Sequence, residues 1–185
     1  MQLAEAYETA LSEIRSVLDA VDPLEVEHLL EAILGAGRVF VAGAGRMGLM
    51  SRAFVMRLMH LGLQAHMVGD TTTPAIRPGD LLLANSGSGH TSIVHHAVSR
   101  AKQHGASIAA CTAHPDSPIG RLADVIVRVP APSKVQGSGE KKTSQPMGNL
   151  SEQCLLVLLD AVSWMLQERL GFTEEEMWAR HANLE

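Results

Sequence analysis

The 185 residues are 46% hydrophobic, 19% charged and only 3% aromatic, and 15 basic against 20 acidic residues leave a formal net charge of −5. That length suits one domain with a sizeable core, and the apolar share excludes extended disorder. An acidic balance with few aromatics supplies neither the electrostatic footprint nor the stacking surfaces of a nucleic-acid binder.

The start, Met1-Gln2-Leu3-Ala4-Glu5, has no basic n-region or apolar h-region, and no stretch nears the roughly 18 apolar residues of a membrane span. A cytoplasmic chain is expected. Leu3, Tyr7, Leu11, Ile14, Leu18 and Val21 recur at helical steps and predict an amphipathic first helix. Asp22-Pro23 offers an N-cap with proline at the first helical position, so a second helix runs to Leu34 and stops at Gly35 and Gly37. From Arg38 the pattern changes to short apolar runs: Val39–Ala42, Ala65–Val68, Leu81–Asn85, Ser107–Cys111 and Val125–Val129. Helical patterns at about Met47–Leu61 and Thr91–His104, and a helical turn within His114–Ala123, alternate with them. Strands without polar alternation, separated by helices, predict a five-stranded parallel sheet covered on both faces, a doubly wound αβα sandwich. Cys111 and Cys154 fall in apolar runs, as small hydrophobes do. The polar stretch from Pro130 to Gly148 is long enough to expect a functional loop. A long helix, roughly Leu150–Leu170, follows; it is apolar around much of its circumference, which suggests burial both in the domain and against another subunit. A short helix, Thr173–Ala179, leads to the tail Arg180-His181-Ala182-Asn183-Leu184-Glu185.

In open α/β sheets ligands bind beyond the carboxyl ends of the strands, and two glycine-rich loops stand there. Gly43-Ala44-Gly45-Arg46-Met47-Gly48 matches the dinucleotide fingerprint G-x-G-x-x-G, with Asp70 after the next strand. The same glycines also serve plain helix-on-sheet packing. Ser86-Gly87-Ser88-Gly89-His90-Thr91 is more specific: three hydroxyls and a helix N-terminus converge, which suits a phosphate monoester better than a simple N-cap.

Gly43-Ala44-Gly45-Arg46, Met56 to Gly62, Ser86-Gly87-Ser88-Gly89, Gln145-Pro146-Met147-Gly148 and Arg180 to Glu185 together resemble the 6-phospho-3-hexuloisomerase family of the SIS (sugar isomerase) fold, over essentially the whole chain. The resemblance implies one SIS domain, with a helical hairpin at 1–36, an α/β core at 37–130, and an active-site loop with C-terminal helices at 131–185. It implies isomerisation of D-arabino-hex-3-ulose 6-phosphate to fructose 6-phosphate in the ribulose monophosphate pathway of formaldehyde fixation. The enzyme would need no cofactor or metal, would form a homotetramer with sites near subunit boundaries, and would work beside 3-hexulose-6-phosphate synthase. Glu152 would be the base, and His60 a proton donor or polariser. The phosphate and sugar would be bound by Gly45, Arg46, Met47, Ser86, Gly87, Ser88, Gly89, His90, Thr91, Lys134 and His181.

The chain departs from the family pattern at Met47 (usually serine), at Asp70 and His90 (usually acidic, with Asp70 keeping the charge), and at Ser151 (usually phenylalanine). Glu152 also has a plainer reading, since Asn149-Leu150-Ser151-Glu152 fits an N-cap with glutamate at the third helical position. The spacing of His90, His95 and His96 does not place them on one helix face, which argues against a metal site. Two other functions compete: a SIS-type module that senses a sugar phosphate without turning it over, and a dinucleotide-dependent oxidoreductase.

Overall fold

The computed structural model describes residues 1–132 and 142–184. Lys134, expected to reach the substrate, lies outside the described residues. Two helices, α1 (Leu3–Leu18) and α2 (Pro23–Gly35), precede β1 (Val39–Gly43). Then follow α3 (Gly45–His60), β2 (Ala65–Met67), β3 (Leu81–Asn85), α4 (Ser92–Gln103) and β4 (Ser107–Thr112). A 3-10 turn at Gly120–Leu122, β5 (Val125–Arg128), α5 (Asn149–Leu170) and α6 (Glu174–Trp178) complete the order. The strands form one sheet in the order β2-β1-β3-β4-β5, with every pair parallel. This is the doubly wound sheet expected from the alternation of apolar runs and helical patterns.

Strand alternation divides the core in two. Val39, Val41, Leu81, Leu83, Ala109, Cys111 and Val127 point to one face, where they pack with Leu29, Leu30, Phe54, Leu58 and Leu159 from the helices. Phe40, Ala42, Leu82, Ala84, Ile108 and Ala110 point to the other, where α4 supplies Val94, Val98 and Ala101, and Ile119 closes the cluster. Burial pushes both thiols, Cys111 and Cys154, up to about 12, as for small apolar fillers. The two faces are covered unequally: α2, α3 and α5 lie on the first, while among the described residues α4 is the only long helix that enters the second core.

At the amino ends of the central strands Arg38 bonds Asp80 through Nε at 3.1 Å and Nη2 at 2.6 Å, and Nη2 also donates to Ala75 O at 3.0 Å. Burial pushes the Asp80 carboxyl up, but the Arg38 bonds and Arg77 N–H outweigh it and hold the group below its usual value. At the carboxyl ends the chain reverses direction around β1 and β3: α3 leaves for one face and α4 for the other. That switch point opens a crevice between the β1–α3 and β3–α4 loops.

Candidate active site

The two glycine-rich loops have different tasks. A Cβ on Gly43 would lie 2.5 Å from Ser51 Oγ and 3.1 Å from Gly48 Cα, and one on Gly48 would lie 2.9 Å from Gly43 O. These two glycines let α3 press onto the end of β1, which is the packing role. Ala44 and Met47 from this loop line the crevice.

The second loop is a braced cradle. Ser86 Oγ and Thr91 Oγ1 share a hydrogen bond of 2.9 Å, and Gly89 N donates to Ser86 O at 3.0 Å and to Ser86 Oγ at 3.1 Å. At the end of β4, Thr112 Oγ1 donates to Gly87 O at 3.3 Å, and the next residue's N–H, Ala113 N, donates to the same oxygen at 3.0 Å. Gly89 has φ +66, and a Cβ there would stand 1.9 Å from Ser117 Oγ, so only glycine fits. Thr91 precedes α4 without a side-chain bond to its first turn, so the amides of that turn keep their capacity for an anion.

α5 brings the third wall. Its first residue is Asn149 and its cap is Gly148, which makes no side-chain bond. The capping arrangement read for Asn149 and Glu152 is therefore corrected. The helix starts one residue earlier than that pattern needs, and Asn149 N–H donates to Pro146 O at 3.2 Å rather than to Glu152. Arg46 Nη1, on α3, donates instead to Glu152 Oε2 at 2.9 Å and to Asn149 Oδ1 at 2.8 Å. The Glu152 side chain is 14% exposed, against 43% for Arg46. A Cβ on Gly148 would come 3.3 Å from Glu152 Oε1, so glycine leaves room beside the carboxylate.

Together Ala44, Met47, Ser86, Gly87, Ser88, Thr91, Asn85, Gly148, Ser151 and Glu152 line a cavity of about 110 Å³. Of the expected residues, Met47, Ser86, Gly87, Ser88, Thr91 and Glu152 meet here, and Arg46 joins them through its bond to Glu152. Gly45, with φ +58, forms the turn into α3, and Gly89 shapes the cradle from behind. His90 is exposed, its Nδ1 lying 2.6 Å from Ser88 O. Asn85 was not expected. Its Nδ2 donates to Ser51 Oγ at 2.9 Å, while its Oδ1 is buried without a partner among the described residues. An asparagine closing an apolar strand was the signal available.

His60 and His181 are elsewhere. His60 ends α3, about 22 Å along the helix axis from Gly45 at 1.5 Å rise per residue. It is 3% exposed, and its ring stacks on His181 at 5.3 Å between centroids. Burial, then Arg57 and His181, hold the His60 imidazole below its usual value. Trp178, His60 and His181 line a second cavity of about 530 Å³ together with Met56, Arg57 and Gln167. The C-terminal tail packs on α3 of its own chain: Arg180 Nη1 donates to His60 O at 3.4 Å and its guanidinium lies 4.5 Å from the centre of the Phe172 ring. Among the described residues no three His, Cys, Asp or Glu side chains are grouped to hold a metal ion, and no helix is long and apolar enough to cross a membrane.

The SIS domain family model matches residues 32–159. The chain is 50% identical over 173 residues to a 3-hexulose-6-phosphate isomerase of Mycobacterium gastri, covering 94% of this chain and 86% of that one. It is 43% identical over 185 residues to a 3-hexulose-6-phosphate isomerase of Bacillus subtilis, covering 100% of both. A crystal structure from Methanococcus jannaschii, from which a molecular function of 3-hexulose-6-phosphate isomerase was inferred, superposes with a TM-score of 0.84 at 32% identity, covering 98% of this chain and 99% of that one. The sheet, the hydroxyl-lined cradle and these full-length likenesses agree: the chain belongs to the SIS domain family and, within it, groups with the 3-hexulose-6-phosphate isomerases.

Proposed function

We propose that the chain is an isomerase interconverting D-arabino-hex-3-ulose 6-phosphate and fructose 6-phosphate, with Glu152 as the base. The observation that carries the mechanism is a carboxylate held by an arginine in the same cavity as a hydroxyl-lined helix N-terminus.

Moving the carbonyl from C3 to C2 takes the proton from C2, passes through a cis-enediol as the hydroxyl proton moves from O2 to O3, and returns a proton to C3. One carboxylate beside both carbons performs both transfers. Because Arg46 holds Glu152 Oε2, Oε1 is the oxygen that takes the proton. The remaining N–H groups of Arg46 stabilise the enediolate oxygen, a role that suits a fixed cation near developing negative charge. The Ser86–Thr91 cradle and the first turn of α4 bind the phosphate, with Gly87, Ser88 and Met47 against it. With its 6-hydroxyl phosphorylated, a 3-ketose cannot readily close a five- or six-membered ring, so no dedicated ring-opening acid is needed. The reaction as written uses no hydride carrier.

A cavity of about 110 Å³ holds a phosphate and little more. Small-molecule sites usually offer at least roughly 300 Å³. The sugar therefore extends from the mouth, and another copy of the chain completes the wall. Exposed Leu49 and Met56 on α3, and Val157 and Trp164 on α5, favour such an assembly, with a homotetramer as the reading that the family resemblance supports. His60 and His181, out of reach of Glu152 in one chain, enter the reaction only across such a boundary. A cytoplasmic place beside 3-hexulose-6-phosphate synthase, in formaldehyde fixation, belongs to the same reading.

Thermal-shift titration separates this function from its competitors. A ligand that binds the folded state raises apparent stability. Fructose 6-phosphate is expected to raise the melting temperature and NAD(H) to leave it unchanged. Stabilisation by NAD(H) alone would favour the oxidoreductase. Stabilisation by fructose 6-phosphate without turnover would favour a sensing module.

A further inference from the structure

One carboxylate ties the entry of α5 to the N-terminal hairpin. Glu13, on α1, accepts from Thr143 Oγ1 at 2.6 Å and Gln145 Nε2 at 3.0 Å through Oε2, and from Ser144 N at 2.8 Å through Oε1. Gln145 N also donates to Thr143 Oγ1 at 3.0 Å, which closes the turn on itself. Three consecutive residues thus present donors to a single acceptor group. Burial pushes the Glu13 carboxyl up, but the bonds from Ser144, Thr143 and Gln145 outweigh it and hold the group below the usual glutamate value. The charged form is the one that this clamp binds.

The clamped segment leads straight to the base. After Gln145 come Pro146, then Met147 at φ +58, then Gly148, the cap of α5. A non-glycine residue persists in that left-handed conformation only where its surroundings over-determine it. Asn149 N donates to Pro146 O at 3.2 Å and Ser151 Oγ to Gly148 O at 2.9 Å, so the turn and the first helical residues form one unit. A Cβ at Gly148 would stand 3.3 Å from Glu152 Oε1, so the bare glycine leaves that oxygen open while Arg46 holds Oε2. Glu152 is therefore placed from two sides: Arg46 on α3 holds its carboxylate, and its backbone N–H donates at 3.1 Å to Gly148 O, at the end of the 143–148 strap.

We propose that Glu13 is a positioning residue for the base: by clamping Thr143, Ser144 and Gln145 it sets the strap that places Glu152 Oε1 against the substrate. This gives Gln145-Pro146-Met147-Gly148 a task, and it links a helix outside the cavity to proton transfer. The inference rests on the reading of Glu152 as base. A carboxylate is required because glutamine at position 13 has one acceptor oxygen and would turn N–H groups toward N–H and O–H donors. The phosphate cradle is independent of the clamp, since it is built from the β3–α4 loop and braced from β4.

The test uses the full chain, with 3-hexulose 6-phosphate formed in situ and, separately, its C2-deuterated form. In Glu13→Gln, kcat is expected to fall about tenfold or more, the magnitude of a base displaced by under about 1 Å. The deuterium effect rises as proton abstraction becomes slower. KM and inhibition by inorganic phosphate stay within about twofold, because the cradle is untouched. Gln145→Met removes one donor from the other side and lowers kcat in the same sense, so it decides the matter if Glu13→Gln does not fold. The double variant is no slower than the slower single one, as for two partners of one interaction. A folded Glu13→Gln or Gln145→Met with wild-type kcat would overturn the inference. So would a loss of phosphate inhibition equal to the loss of kcat, which is general loosening. Wild type making no product would instead overturn the base reading; wild-type turnover abolished by Glu152→Gln but intact in Glu13→Gln overturns only the role of Glu13.

Discussion

In the proposed mechanism the residue that decides the chemistry is Glu152, and its surroundings suggest how to test it. Glu152→Gln keeps the size and most of the contacts with Arg46 but removes the proton acceptor, so kcat is expected to fall by about 10³ with the fold intact. Melting curves and initial rates on the same preparation check this. Gly89→Ala tests the cradle: a Cβ 1.9 Å from Ser117 Oγ at φ +66 forces the loop to move. The cost is expected to be about 2 kcal/mol of stability, together with loss of phosphate protection in a denaturant titration. Wild-type stability in Gly89→Ala would show that the loop adapts. Which residues meet in this cavity was in large part legible in the sequence. Ser86, Gly87, Ser88 and Thr91 could be grouped because hydroxyls and glycines alternate at a strand–helix junction, and their anion-binding role is the proposal. The partner of Glu152 was not legible. Asn149-x-x-Glu152 reads as a cap until the helix is seen to begin at Asn149, and Arg46 lies 106 residues away in sequence. His60 did carry its own signal: fifteen residues beyond Gly45 on one continuous helix, it had to sit far from the cradle.

At the scale of elements, the sheet was readable because strands buried on both faces are continuous apolar runs between breakers, with no alternation to misassign. The starts of α3 and α5 were less readable. Gly45 and Asn149 are poor helix formers that the tertiary structure recruits into first turns, so both helices begin before their apolar pattern does. The pin between β1 and β3 makes a prediction of its own. Arg38 and Asp80 are 13% and 3% exposed in their side chains, and Asp80→Asn leaves the guanidinium without its charge partner. The melting temperature is expected to drop by several degrees. The Asp80 carboxyl sits below its ordinary value of 3.8 in the folded protein, so its stabilisation is complete above that pH and is lost as pH falls further. Asp80→Asn should therefore be less stable than wild type at neutral pH and lose this part of the acid dependence. Parallel acid melting profiles would contradict it.

For the whole molecule, one chain provides a hydroxyl-lined cradle, the Glu152 carboxylate and Arg46 at one end of α3, and a histidine pair with a broad cavity at the other. If copies join so that one chain's His60 end faces another's cradle, then Glu152→Gln and His60→Ala chains, each inactive alone, should recover activity when unfolded and refolded together. No recovery would confine His60 and His181 to the packing of the tail. The central claim is tested most directly by turnover. Purified protein is added to formaldehyde, ribulose 5-phosphate and the synthase, and fructose 6-phosphate is followed through a coupled dehydrogenase. Fructose 6-phosphate should form at a rate proportional to the added chain and stop when Glu152→Gln replaces it. Folded wild-type protein that forms none, or Glu152→Gln that forms it at the wild-type rate, would contradict the isomerase with Glu152 at its centre.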